Sequence, residues 1–447
     1  MEIHPGYFVV IIGGGVAGSE AAYQLSKRGI YSAIFEQHAL PYGKIEEGLP
    51  KWHIKLRNQE EKKIDDKLSQ SHVFLIPKTT IGTDISLKEI LEWGFSAIIL
   101  ASGAWRDRPL PLPDINRYIG KGLYYQNMFV SWFNHYHEPG FSAPDCPIHD
   151  NAIVIGGGLA SLDVVKILML ETTLQALAER GYKANLFELE RFGINDYLKN
   201  NGISFSDLGL KGCTLYYRKR VEDMPITPLP PTLSPEKLVK IQQLRKRIIQ
   251  KYQDKYLFDV KECYLPIRAI DDDGWLKGIV FRKVNQLPRK AHYEIEVRSS
   301  LVISAIGSLP TVFPEISRQG ELLAIADPKT GRIKGYQNVF AIGNAITGRG
   351  NIQESLTSSR YISRLLMEDY LDWRAEEIQM LLKKDITDSA KTVTRIEKKL
   401  KSKKLLSVKK IQELLYKIYK RQQVIGYNGN YREWISRNLP IRLEDMR

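Results

Sequence analysis

The sequence predicts an α/β protein with two Rossmann-like dinucleotide-binding domains, followed by a basic helical C-terminal tail. Three observations carry that expectation. A strand, a glycine turn, a helix, a second strand and an acidic residue follow one another from Tyr7 to Glu36. A second glycine turn of the same kind begins at Ala152. From Arg374 to Arg447 the chain holds 19 Lys and Arg against 9 Asp and Glu, a net +10 of the total +14.

The first unit, YFVVIIGGGVAG, couples six apolar residues, Tyr7 to Ile12, to Gly13, Gly15 and Gly18 in G-x-G-x-x-G spacing. A continuous apolar run reads as a central parallel strand. Gly13 permits the sharp turn, Gly15 lets a pyrophosphate approach the backbone, and Gly18 lets helix and strand pack closely. The amides of Val16 and Ala17 open a helix that continues from Ser19 to Arg28, and free amides at a helix start attract phosphate. A second strand, Tyr31 to Phe35, ends in Glu36, eighteen residues after Gly18. A carboxylate there suits the ribose hydroxyls of an adenosine.

The 447 residues allow two or three domains, each with its own core. No apolar run approaches the roughly 20 residues that span a bilayer, and the first strand starts too soon for a cleaved signal. A cytoplasmic protein with no membrane association is expected. Cys146, Cys213 and Cys263 form no C-x-x-C pair, which excludes an encoded redox dithiol or cysteine-bound iron–sulfur cluster and makes them buried small hydrophobes. The basic tail would attract an acidic protein, nucleic acid or an anionic surface, or is a solvated helical face.

Between the two units, Pro41 to Asn58 forms a loop punctuated by Gly43 and Gly48 and carrying His53. Loops at the carboxyl ends of parallel strands line the ligand crevice. Ser96 to Ala101 is a further apolar strand, running into Gly103 and then a stretch interrupted by Pro109, Pro111 and Pro113. In AIVIGGGLASLDVVKIL, Gly156 and Gly158 hold the first two glycine positions, Leu159 and Ala160 open the helix, and Ser161 replaces the third glycine. Two such units imply two nucleotides, and the usual chemistry of that pairing is a flavin with a nicotinamide. Two stretches compete for the nicotinamide's ribose. ANLFELE ends in acids that suit NADH, whereas Arg218, Lys219 and Arg220 suit the 2′-phosphate of NADPH. Spacing favours Glu188, 27 residues after Ser161, over Arg218, 57 residues after it, and electrostatics does not choose.

Further on, Lys237 to Lys255 reads as a basic amphipathic helix and Tyr256 to Val302 as alternating strands. Their turn, Asp271-Asp272-Asp273-Gly274, has no ligand-spaced carboxylate after it, so no metal site is expected. Ser300 to Gly307 repeats the apolar-strand-to-glycine pattern. Val339 leads through Gly343 and Asn344 to a glycine-rich loop, with a helix expected from about Asn351 to Trp373. In the tail, Val408, Ile411, Leu415 and Ile418 share one stripe.

Together these residues resemble the NADPH-dependent FAD oxidoreductases that include adrenodoxin reductase, bacterial ferredoxin reductases and the glutamate synthase small subunit. The resemblance spans roughly Tyr7 to Asp372. GGGVAG with Glu36 resembles the family's FAD adenosine site, PYGKIEEGLPKWHIK its loop over the flavin, and ASGAWRDRPLPLP its crossing segment with Ala101 and Gly103. NMFVSWFNHYHE is similar to the start of the NADPH domain, and GGGLASLDVVKIL to its phosphate turn. TLYYRKRVEDMP resembles the segment that grips the 2′-phosphate, which implies NADPH and makes Lys183 to Gly212 an insertion. AIGNAITGRGNIQES resembles the flavin-facing loop, implying that Gly343, Asn344, Gly350, Asn351 and Ile352 border the ring. Trp52 precedes His53 where adrenodoxin reductase has an acidic residue, so His53 is assigned only to flavin-site hydrogen bonding. Asn344 replaces an aspartate that many flavin disulfide reductases use on the ribityl chain. An iron–sulfur region is absent, so the electron path in this chain ends at the flavin.

The resemblance implies a discontinuous FAD domain (1–115 and 305–373), an inserted NADPH domain (116–304) and a C-terminal extension (374–447). It implies an enzyme that takes hydride from NADPH onto flavin N5 and passes electrons to an acidic ferredoxin-type carrier. The alternatives are a flavoprotein subunit or oxygenase acting on a small molecule, a nucleic-acid-modifying flavoprotein and an idle cofactor-binding module. The tail lacks interleaved aromatic and glycine RNA-binding signatures, which argues against nucleic acid.

Overall fold

The computed structural model describes residues 2–142, 145–227, 234–284, 293–347 and 370–446, with side chains in the last stretch from 378 onward. Its largest sheet has seven strands. Phe8–Ile12 lies at the centre, with Tyr31–Phe35 and then Val73–Ile76 on one side. On the other side lie Ala97–Leu100, Val339–Ala341, Arg332–Ile333 and Ile325–Asp327. The five strands from Val73–Ile76 to Val339–Ala341 are parallel, and Ile12 stands opposite both Phe35 and Leu100. This register brings the carboxyl ends of three strands together at Gly13.

Alternate residues of Phe8–Ile12 point to opposite faces, as strand geometry requires. Phe8, Val10 and Ile12 pack with Ile411, Leu414 and Ile418 of the tail, while Val9 and Ile11 pack with Val393, Ile396 and Leu400. The tail therefore completes the core on both faces of this sheet. Helix Val408–Val424 takes one face, and helices Tyr370–Leu400 and Tyr431–Asn438 take the other. Ile411, Leu415 and Ile418 of the expected stripe are buried together with Leu414, while Val408 is half-buried.

The second sheet is wholly parallel, in the order Leu123–Tyr125, Val302–Ala305, Ile153–Gly156, Thr214–Tyr217, Asp259–Glu262. A three-stranded antiparallel sheet, Tyr264–Asp272, Trp275–Lys283 and Glu294–Arg298, follows, with the Asp-rich turn at the first hairpin. Two chain crossings connect the halves, and they pair with each other. Ser308 stands opposite Asp107 in a short antiparallel bridge, and Arg108 N–H donates to the Gly307 carbonyl at 2.9 Å. Two largely parallel sheets, each with a glycine turn at the carboxyl end of a central strand, agree with the expected α/β class. All three cysteines are buried and free, as expected of small hydrophobes.

Candidate active site

At the first turn the glycines are sterically required. Gly13 has φ +101°, and a methyl group there would stand 2.6 Å from the Ala101 carbonyl oxygen. On Gly18 it would stand 1.9 Å from the Gly13 carbonyl oxygen, so any side chain would push the helix off its strand. Val16–Ser26 begins directly behind Gly15, and Gly43 of the neighbouring loop approaches Gly15 closely. Glu36 is buried at the end of its strand. Its Oε2 accepts from Gly14 N–H at 2.7 Å and its Oε1 from His38 N–H at 3.0 Å. Burial pushes this carboxyl up, and the N–H groups of His38 and Gly14 pull it back.

A cavity of about 1390 Å³ opens above the carboxyl ends of both parallel sheets. This exceeds the roughly 300–1,000 Å³ of an ordinary small-molecule site. Gly13, Gly15, Val16, Ala17, Glu36, Gly43, Gly48, Ala101, Gly103 and Asn344 line one part of it. Gly156, Gly158, Leu159, Ala160, Arg218 and Lys219 line another. Gly18, Gly343 and Ser161 stand behind these turns rather than on the cavity wall. Ser161 is buried, and its hydroxyl donates to the Gly158 carbonyl at 2.6 Å. His53 is also absent from the wall and instead precedes helix Ile54–Leu68, accepting at its carbonyl from Arg57 N–H. Gly350, Asn351 and Ile352, with the helix expected from Asn351, lie outside the described residues.

Two candidate stretches were open for the second ribose, and they fold differently. ANLFELE is not a strand: Leu186–Phe192 is a helix, capped by the Asn185 side chain, and a second helix, Ile194–Asn200, follows. Thr214–Tyr217 is the strand beside Ile153–Gly156, so Arg218 and Lys219 emerge at its carboxyl end over the cavity. Spacing misled because two helices intervene between the first helix and its strand. Arg220 separates from this pair, turning to Glu222 at 2.7 Å and Asp223 at 3.3 Å.

Several lining residues escaped the sequence reading. Arg245, buried, projects from helix Pro235–Tyr256 and donates to Thr227 Oγ1 at 2.9 Å. Its signal was an arginine within the apolar stripe Ile241, Leu244, Ile248, Tyr252. Lys44, in the glycine loop, reaches Asn127 Oδ1 at 3.1 Å and Ser308 Oγ at 3.4 Å. Burial pulls its ammonium down to about 8 against the opposing charge of Asp107. Burial likewise pushes Asp107, on the first crossing, up to about 6. Lys44 thus joins the loop to both crossings. Ile378, Leu382 and Asp385 bring the tail helix to the same cavity.

Among the described residues, Glu46, His135 and Glu138 alone cluster closely enough to suggest a metal site. Their partners make them an ion-pair network. His135 binds Glu138 and Glu47, and Arg442 of the tail binds Glu46 and, at 3.0 Å, Glu61.

Residues 7–203 match the family model for pyridine nucleotide-disulphide oxidoreductases. The chain is similar to the mitochondrial NADPH:adrenodoxin oxidoreductase of Arabidopsis thaliana, with 26% identity over 319 residues, covering 67% of this chain and 62% of that one. It is also similar to the NADPH glutamate synthase small chain of Bacillus subtilis, 30% identical over 171 residues, covering 35% of this chain and 31% of that one. The chain spans less than two thirds of the length of the curated relatives it matches. Among solved structures, FprA of Mycobacterium tuberculosis in complex with NADPH shares the fold, with a TM-score of 0.63, 17% identity and coverage of 94% of this chain and 91% of that one. No helix among the described residues is long and apolar enough to cross a membrane.

Proposed function

We propose that this chain, a relative of the NADPH:adrenodoxin oxidoreductases and the glutamate synthase small chain, is an FAD-dependent enzyme that oxidises NADPH and passes the electrons to a separate acceptor. One observation carries the reading: two glycine turns, each at the carboxyl end of its own parallel sheet, open onto one cavity. That is where open α/β sheets bind dinucleotides.

The residues fit the two cofactors. Gly13 and Gly18 hold the turn tight against Ala101 and the helix, with no room for a Cβ at either, Gly15 lines the cavity, and the start of Val16–Ser26 presents amides toward a pyrophosphate. Glu36, already held by two backbone N–H groups, would accept the adenosine ribose hydroxyls. Gly156, Gly158, Leu159 and Ala160 would receive the NADPH pyrophosphate, and Arg218 and Lys219 its 2′-phosphate. The flavin, when bound, converts two-electron hydride chemistry into single-electron steps. The chain's own part is to hold the two ligands in contact and exclude water between them. Lys44, Asn127 and Ser308 fix the crossings on either side of that meeting place. No protein nucleophile is required. On this reading 1–115 and 305–373 form the FAD domain and 116–304 the NADPH domain, in the cytoplasm. The favoured acceptor is a ferredoxin-type iron–sulfur protein.

Replacing Arg218 and Lys219 together by alanine tests the cofactor assignment. The KM for NADPH should rise at least about tenfold, since charge-assisted phosphate contacts contribute about 1.5–3 kcal/mol. The KM for NADH should change less than about threefold. Equal effects on both would refute the phosphate role.

A further inference from the structure

We infer that Asp385, carried by the C-terminal helix, binds sugar hydroxyls of the dinucleotide held at the first glycine turn. This rests on the reading of that turn as an FAD site.

Helix Tyr370–Leu400 packs along Val16–Ser26 with one stripe inward: Leu382, Ser389, Val393, Ile396 and Leu400. Asp385 falls on that stripe, where helical periodicity calls for an apolar residue. A carboxylate at a core-facing position is costly unless something compensates it. Asp385 lines the cavity, and a methyl group built on Gly343 would stand 3.4 Å from its Oδ1 and 2.8 Å from Ala17 Cβ. The carboxylate therefore faces the junction of two strand ends, beside the start of the first helix. Burial pushes its carboxyl up to about 6, with Asp388 adding to the effect and Lys384 opposing it.

Two other carboxylates on the wall near this turn already hold partners, and exposed Asp388 follows Asp385 by three residues on the same helix. Glu36 accepts from Gly14 and His38, and Glu321 pairs with Arg108. Asp163 and Asp223 belong to the second turn's surroundings. A dinucleotide offers phosphates, bases and hydroxyl-bearing sugar. A carboxylate repels the first and accepts hydrogen bonds strongly from the last. Asn344, the next residue after Gly343 and also on the wall, offers only an amide from the strand side. The negative acceptor for this end of the cofactor then comes from the tail.

The test is FAD retention by the full-length holoprotein, read as fluorescence of flavin freed on serial dilution. Asp385→Asn should weaken retention between about 10-fold and 100-fold, the span of one hydrogen bond to a charged group. Adding Asn344→Asp to that variant returns a carboxylate to the same end of the cavity and should restore retention to within about threefold of wild type. A purely structural role for Asp385 gives no such rescue, so failure of the double variant overturns the inference. So does unchanged retention in Asp385→Asn. If the wild-type chain itself carries no FAD, the flavin reading falls first and this inference with it.

Discussion

Buried His135, at the end of helix Gln126–His135 beside the second sheet, joins that helix to the loop that carries Lys44. Its Nδ1 lies 2.6 Å from Glu138 Oε1 and its Nε2 3.2 Å from Glu47 Oε2, while Ser131 donates to the same Glu47 oxygen at 2.7 Å. Burial disfavours the imidazolium, but the hydrogen bonds and charges of Glu138 and Glu47 prevail and raise it to about 10. A histidine raised above its unfolded value of about 6.5 stabilises the fold fully below that pH and loses the contribution as pH climbs through the folded value. The urea midpoint of wild type should thus exceed that of His135→Gln most at pH 6.5 and converge on it toward pH 10. A gap that widens with pH would contradict the network. Residues of this kind were hard to read from the sequence, since nothing in NMFVSWFNHYHE says that Glu47 will meet it. The places of Glu36 and the glycines in the first turn were legible because they depend on local spacing alone.

At the scale of elements, strands buried on both faces announced themselves as apolar runs, and Tyr31–Phe35 begins and ends where its run does. Spacing did not single out Thr214–Tyr217, the strand before Arg218 and Lys219, because helices Leu186–Phe192 and Ile194–Asn200 stretch the interval that spacing measures. The tail was legible as amphipathic helix, but its docking surface was not, since a hydrophobic stripe does not name its partner. Its packing changes what truncation means. Val393, Ile396, Leu400, Ile411, Leu414, Leu415 and Ile418 are all essentially buried. At about 1.5–3 kcal/mol per buried aliphatic side chain, removing them forfeits at least about 10 kcal/mol, comparable to the whole stability of a domain. A chain ending at Trp373 should be insoluble or unfolded by circular dichroism. A folded, soluble product with normal flavin content would show that the tail is peripheral.

Across the whole molecule, the tail meets the cavity through helix Tyr370–Leu400, whose Lys384 lines the wall, while its later basic helix lies elsewhere. Helix Val408–Val424 lies against the first sheet, with Gln422 bonded to the Leu75 carbonyl at 2.7 Å and Lys409 and Lys420 exposed on its outer side. None of its residues lines the cavity. Its charge would act on an acidic carrier at long range, raising encounter rates that fall as salt screens the field, rather than by touching the carrier beside the flavin. The most direct test of the proposed electron path is anaerobic stopped-flow mixing of the full-length protein with NADPH, then with an oxidised two-iron ferredoxin. The flavin band should bleach with NADPH much faster than with NADH. It should then return as the ferredoxin is reduced, at a rate that drops with added salt. A flavin band that NADPH leaves unchanged, or a reduced protein that ferredoxin cannot reoxidise while a small substrate can, would contradict it.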